Sequence, residues 1–132
     1  MTAGLAPSLV SGWLNTLRSA GTAYSAVAGT FAQLHTGDPG AAGAASVSAG
    51  STARNSFTFA ASSAGSALAL GTPPSAWTNG GTSETLTHIS VWTAASGGTF
   101  LFSVALTASK AWASGDTFTC TSLSASLSPQ SA

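Results

Sequence analysis

A small, mainly β fold, an antiparallel β-sandwich or barrel-like domain carrying one N-terminal amphipathic helix, is what this 132-residue chain predicts. Three observations point there. Apolar residues recur three and four apart near the N-terminus, at Leu5, Leu9, Val10, Trp13, Leu14 and Leu17, and form one helical stripe. Beyond Gly21 the pattern changes to short period-two runs broken by glycine, serine and proline, the signature of short strands and turns. The length suits a single domain over 1–132 with a core of its own, the helix covering about 8–19 and the β region about 30–128.

Pro7 suits the first helical turn, Gly21 stands where the helix should stop, and Arg18 complements the dipole near its end. Gly12 inside the stripe costs about 1 kcal/mol relative to alanine, so the helix depends on docking. Packing on its own sheet is the expected use of the stripe, with packing on another subunit as the alternative.

Phe31 to Thr36 is the first strand. Asp38, Pro39 and Gly40 form a turn, with Pro39 setting φ and Gly40 accepting a positive φ. Gly40 to Thr52 holds no side chain larger than valine and is expected as a surface loop. Ser56 to Ala60 alternates, placing Phe57 and Phe59 on one face. After a break at 62–66 comes the apolar piece Ala67 to Leu70, and Pro73 and Pro74 exclude a central strand behind it. Trp77 precedes the turn-forming Asn79, Gly80 and Gly81.

The strongest strand is Leu86 to Thr93. Ser96, Gly97 and Gly98 turn it into Thr99 to Leu106, giving an antiparallel hairpin. Lys110 to Ala113 reads as a brief edge or loop piece, followed by a turn at Ser114, Gly115 and Asp116. The last strand begins with Phe118 and Cys120 inward, but Leu123, Ala125 and Leu127 sit on the opposite parity, so a bulge near Thr121 and Ser122 is expected, with Pro129 ending the strand.

Charge bounds the function. Arg18, Asp38, Arg54, Glu84, Lys110 and Asp116 are all the fixed side-chain charge, 5% of the chain and a net charge of zero. An ordinary soluble domain carries about 25%. Such a surface does not hold neighbours apart, which favours a component of an assembly. Three Lys and Arg residues make no basic patch, so no nucleic-acid partner is expected. Ser, Thr and Gly interrupt every apolar run, so no membrane span is expected, and Met1 to Pro7 lacks the features of a signal peptide. Heptads, collagen triplets and solenoid repeats are absent from the pattern.

Chemistry has few candidates. His35 and Asp38 invite a catalytic dyad with one of many serines, but no serine sits in a G-x-S-x-G elbow, and Asp38 capping its own turn is favoured. His88 with Glu84, or with His35, lacks the third ligand of a zinc site. Cys120 alternates with Phe118 and reads as a small inward hydrophobe. No catalytic residue, metal site or cofactor is expected. Trp77, Trp92 and Trp112 could stack on a sugar, but core anchoring comes first for them. The candidate assembly contacts are Leu9, Trp13, Leu17, Trp77 and Trp112.

The order of motifs adds a resemblance: a leucine-rich helix, then Leu34-His35-Thr36-Gly37-Asp38-Pro39-Gly40, Arg54 leading into Phe57 and Phe59, Thr87-His88-Ile89-Ser90-Val91-Trp92, Gly97-Gly98-Thr99-Phe100-Leu101, and Gly115-Asp116-Thr117. Over about residues 5–127 the chain resembles a family of small proteins of tailed phages, especially phages of actinobacteria, labelled tail fibre or minor tail proteins. The resemblance implies a non-enzymatic virion component, made in the host cytoplasm, whose partners are other virion proteins, a major capsid protein or tail proteins, and copies of itself in a homo-oligomer. Receptor-binding fibres carry shafts or coiled coils that this chain lacks, so a capsid decoration or minor capsid protein is the expected role. A minor tail or tail fibre protein contacting the host surface, with a host-surface glycan as ligand, is the alternative.

Overall fold

The computed structural model describes residues 3–17, 27–62 and 67–126, and places one helix and three antiparallel sheets among them. The helix α1 (Pro7–Asn15) precedes eight strands: β1 (Phe31–His35), β2 (Asn55–Ser56), β3 (Ala67–Ala69), β4 (Trp77–Thr78), β5 (Glu84–Trp92), β6 (Phe100–Trp112), β7 (Thr117–Phe118) and β8 (Ser124–Ser126). The main sheet runs β2-β1-β5-β6, while β3 pairs with β8 and β4 with β7. The mainly β, sandwich-like expectation matches this architecture, and no sheet closes into a barrel.

Pro7 opens α1 because its fixed φ suits the first helical position, where its missing N–H costs no bond. The helix stops at Asn15 rather than at 19. Thr16 turns its hydroxyl back to the Trp13 carbonyl at 2.6 Å, and the amides of Thr16 and Leu17 bond three residues back, tightening the last turn. Residues 18 and 19, and with them Arg18 and Gly21, lie outside the described residues.

The docking of the helix also differs from expectation. Within α1 Leu9 is buried, but Trp13 and Leu14 are 39% and 60% exposed, and Leu17 beyond it is 82% exposed. The anchor lies ahead of the helix: Ala6 N–H donates to Leu101 at 2.6 Å and Ser103 N–H to Gly4 at 2.9 Å, an antiparallel tie on the edge of β6. That tie seats the first turn and leaves the apolar stripe beyond it in solvent.

The β5–β6 hairpin forms, and Lys110 to Trp112, expected as a separate piece, continues β6. The ladder pairs His88 with Ala105 but Leu86 with Lys110, so Thr87 alone faces Leu106 to Ser109. This bulge breaks the alternation and hides the continuity. A second irregularity inserts Leu101 between the Val91–Phe102 and Trp92–Phe100 pairs, and Phe100, Leu101 and Phe102 are all buried as a result. As an edge strand, β6 is blunted by the Gly4–Ala6 segment, by the bulge and by Lys110.

The last strand is two strands. β7 joins β4 and β8 joins β3, so the parity change between Cys120 and Leu123, both 4% exposed, comes from a change of sheet rather than from a bulge. Leu127 lies outside the described residues.

Gly40 to Thr52 is not a plain surface loop. It returns beside β1, with Thr36 N–H donating to Ser46 at 2.8 Å and Ser48 N–H to Leu34 at 3.0 Å. Because β5 takes the other side of His35, the bridge from His35 to Val47 sits on the β2 edge. Its small residues serve close approach: a Cβ on Gly43 would overlap the Phe100 ring, and one on Gly50 would lie 2.7 Å from Asn79 Oδ1. Gly40 adopts φ 73° as the Asp-Pro-Gly turn requires.

Candidate functional site

His35 ends β1 directly opposite His88 on β5 and is 0% exposed. Its Nδ1 lies 2.8 Å from the Ala45 carbonyl and its Nε2 2.7 Å from Ser90 Oγ. Ser90 Oγ also accepts the Trp92 indole N–H at 2.7 Å. These partners fix the protons. The carbonyl can only accept, so Nδ1 carries the hydrogen, and the Ser90 hydroxyl donates to the bare Nε2. Burial holds the imidazole below its usual value; the Ala45 bond opposes this, and the nearby His88 and Arg54 add to it.

A serine hydroxyl donating to a histidine is the opening of a nucleophilic site, but here both residues are fully buried and the third partner is a backbone carbonyl. The Asp38 carboxylate spends Oδ1 on the Gly40 N–H at 2.8 Å, capping its own turn. His88 Nδ1 meets the Thr87 hydroxyl at 2.8 Å. Among the described residues no three His, Cys, Asp or Glu side chains gather as a metal would need.

Glu84 pairs with neither histidine. Its carboxylate accepts the Ser48 hydroxyl and the amides of Ala49 and Gly50, both at 3.1 Å, and so pins the end of the 40–52 loop to β5.

The tryptophans stand as core anchors. Trp77 and Trp112 are each 1% exposed, their indole N–H groups donating to Ala53 at 2.9 Å and Asp116 at 3.1 Å. Trp92 is buried as well, so none of the three offers a ring to a sugar. Of the candidate assembly contacts, Leu9, Trp77 and Trp112 are taken up inside the chain, whereas Trp13 and Leu17 reach solvent.

Sequence reasoning missed Arg54. Its guanidinium lies over the Trp92 ring, donates to Gln33 Oε1 at 3.2 Å, and reaches the carbonyls of Ala94 and Gly97 at 3.3 and 2.6 Å. The available signal was its isolation, since no fixed charge follows it until Glu84. Asn79 was read only as a turn residue. It is buried, donates to Thr82 and Trp112 at 2.7 and 2.9 Å, and accepts from Gly81 at 2.9 Å.

A cavity of about 710 Å³ opens between β6, β8 and the Ala3–Leu5 segment, with Asp38 and His88 in its wall. A second, of about 370 Å³, continues along β6 past Val104 and Ala105. Methyl and hydroxyl groups line most of both. The arrangement offers shape and weak polarity.

Compared with known families, residues 7–128 match the model of a family described as podophage GP4 fiber I protein gp80. No curated protein matches the chain.

Proposed function

The chain belongs to the podophage GP4 fiber I protein gp80 family, and from that premise we propose that it is a non-enzymatic tail-fibre or minor tail protein. The match spans nearly the whole sequence and is the observation that carries this reading. It supports the tail alternative over the capsid surface expected from the lack of a shaft. It speaks for a fibre-type virion family, and not for any one group of bacterial hosts.

The protein works by contact. Trp13 and Leu17, with Leu14 between them, form the apolar surface presented to another virion protein or to a copy of this chain. Residues 1–132 act as one unit in this reading, in line with a match that runs from the helix to the last strand. With Trp77, Trp92 and Trp112 buried, protein contact carries the proposal rather than sugar stacking.

Counting copies in purified particles by mass spectrometry, together with a density map, tests it. A handful of copies at the tail is expected. Hundreds spread over the shell, or none in the particle, would overturn it.

A further inference from the structure

We propose that His35 is the sensor of an acid-sensitive latch: its neutral ring clips the 39–47 segment to the main sheet, and a second proton on the ring opens that clip. The ring sits between two ties. Nδ1–H holds the segment through the Ala45 carbonyl, and Nε2 holds β5 through Ser90. On either side of His35 stand β5 and the returning Val47.

A proton arriving at Nε2 forces the Ser90 hydroxyl to turn: its oxygen, which already accepts from the Trp92 indole, would have to accept a second time, and its hydrogen would lose the lone pair it now reaches. Among the described residues no carboxylate is seen bonded to the ring. His88 faces the ring from β5 and Arg54 from the chain ahead of β2, both cationic when protonated. Asp38 accepts from Gly40, Glu84 from Ser48, Ala49 and Gly50, and Asp116 from Ala113.

Hydrating the imidazolium therefore means lifting the strand-like cover away from β1. That breaks the bonds from Thr36 N–H to Ser46 and from Ser48 N–H to Leu34, while the grip of Glu84 on residues 48–50 remains as the hinge. The direction follows from linkage. A histidine held below its usual value in the fold binds its proton more readily once exposed, so the clip is whole above the ordinary imidazole value of 6.5 and weakens as the pH falls below it.

Amide hydrogen exchange on the whole chain, expressed as protection factors to remove the intrinsic pH dependence, tests this at about pH 7.5 and about pH 5. At the lower pH the amides of Thr36, Ala45 and Ser48 should lose about tenfold or more in protection, while those of Ile89 and Val91 hold. His35→Gln, which keeps a neutral polar side chain, should abolish the difference. If that variant does not fold, Ser90→Ala serves instead: it removes the hydroxyl that stabilises the bare Nε2, and should move the midpoint of the loss to higher pH. An equal loss in segment and sheet, no loss at all, the same loss in His35→Gln, or an unmoved midpoint in Ser90→Ala would overturn the latch.

Discussion

The guanidinium carbon of Arg54 stands 3.5 Å from the centroid of the Trp92 ring. One cation thereby joins three places far apart in sequence: Gln33 on β1, the Trp92 end of β5, and the Ala94 and Gly97 carbonyls of the hairpin turn. Lysine can supply the charge but not the planar fork. Arg54→Lys should therefore destabilise the fold by about 1–2 kcal/mol. Lys110→Ala, on the exposed part of β6, should stay within about 0.5 kcal/mol. Urea unfolding of the two variants checks this, and equal midpoints would remove Arg54 from the account.

Glu84 and Gly50 both bear on how the 48–50 stretch is held. Glu84→Gln keeps the shape but weakens three bonds to the 48–50 backbone and hydroxyl, and should cost about 2–3 kcal/mol. Gly50→Ala would place a methyl 2.7 Å from Asn79 Oδ1 and press on a side chain already committed to Thr82, Trp112 and Gly81. It should cost about 1–3 kcal/mol as overpacking. At Gly4 an added Cβ meets nothing within 4 Å, so Gly4→Ala is the matched control. For a chain of this size each kcal/mol should appear as about 3–5 °C in thermal midpoint.

Burial pushes the Cys120 thiol above its usual value and outweighs an opposing backbone bond from Ser122, and the thiol donates to the Ser122 carbonyl at 3.4 Å. The fold thus favours the protonated form. This contribution is complete below the free thiol value and lost as the pH rises through the folded one. A thiol reagent at about pH 8 should react on the order of 100-fold more slowly with the native chain than with the unfolded one, because it must await an opening. Labelling at comparable rates in both states would contradict the buried, inert reading.

What the sequence disclosed and what it withheld divide along physical lines. Leu86 to Trp92 was legible because a period of two survives along β5, whose pairing with β1 runs unbroken from His88 to Trp92. Lys110 to Trp112 was not, since a bulge that sets Leu106 to Ser109 against Thr87 erases the same period while keeping the strand. The switch of parity after Cys120 admitted a bulge or a change of sheet, and only tertiary pairing chooses between them. In Gly40 to Thr52, small residues mean either exposure or close approach. Phe100 against Gly43 and Asn79 against Gly50 decide for the second. The His35 network was invisible for a similar reason, Ser90 lying 55 residues away along the chain. His35 and Asp38 drew attention as a pair, yet the partners that fix the His35 protons are Ala45 and Ser90.

The aromatic residues give a last prediction, because burial divides them into two kinds. Trp77→Ala or Trp112→Ala removes a fully buried ring together with an indole bond and should cost about 3–5 kcal/mol, a large share of the about 5–15 kcal/mol that holds an ordinary domain folded. Trp13→Ser and Leu17→Ser remove side chains that are 39% and 82% exposed, so the fold should lose little, within about 1 kcal/mol. The paired Trp13→Ser, Leu17→Ser variant should therefore keep the thermal midpoint and yet fail to enter the particle, scored by mass spectrometry of virions grown with the variant gene. Particles that incorporate it at the normal level would show that the exposed end of α1 faces solvent in the virion, and the search for the contact would move to the strands.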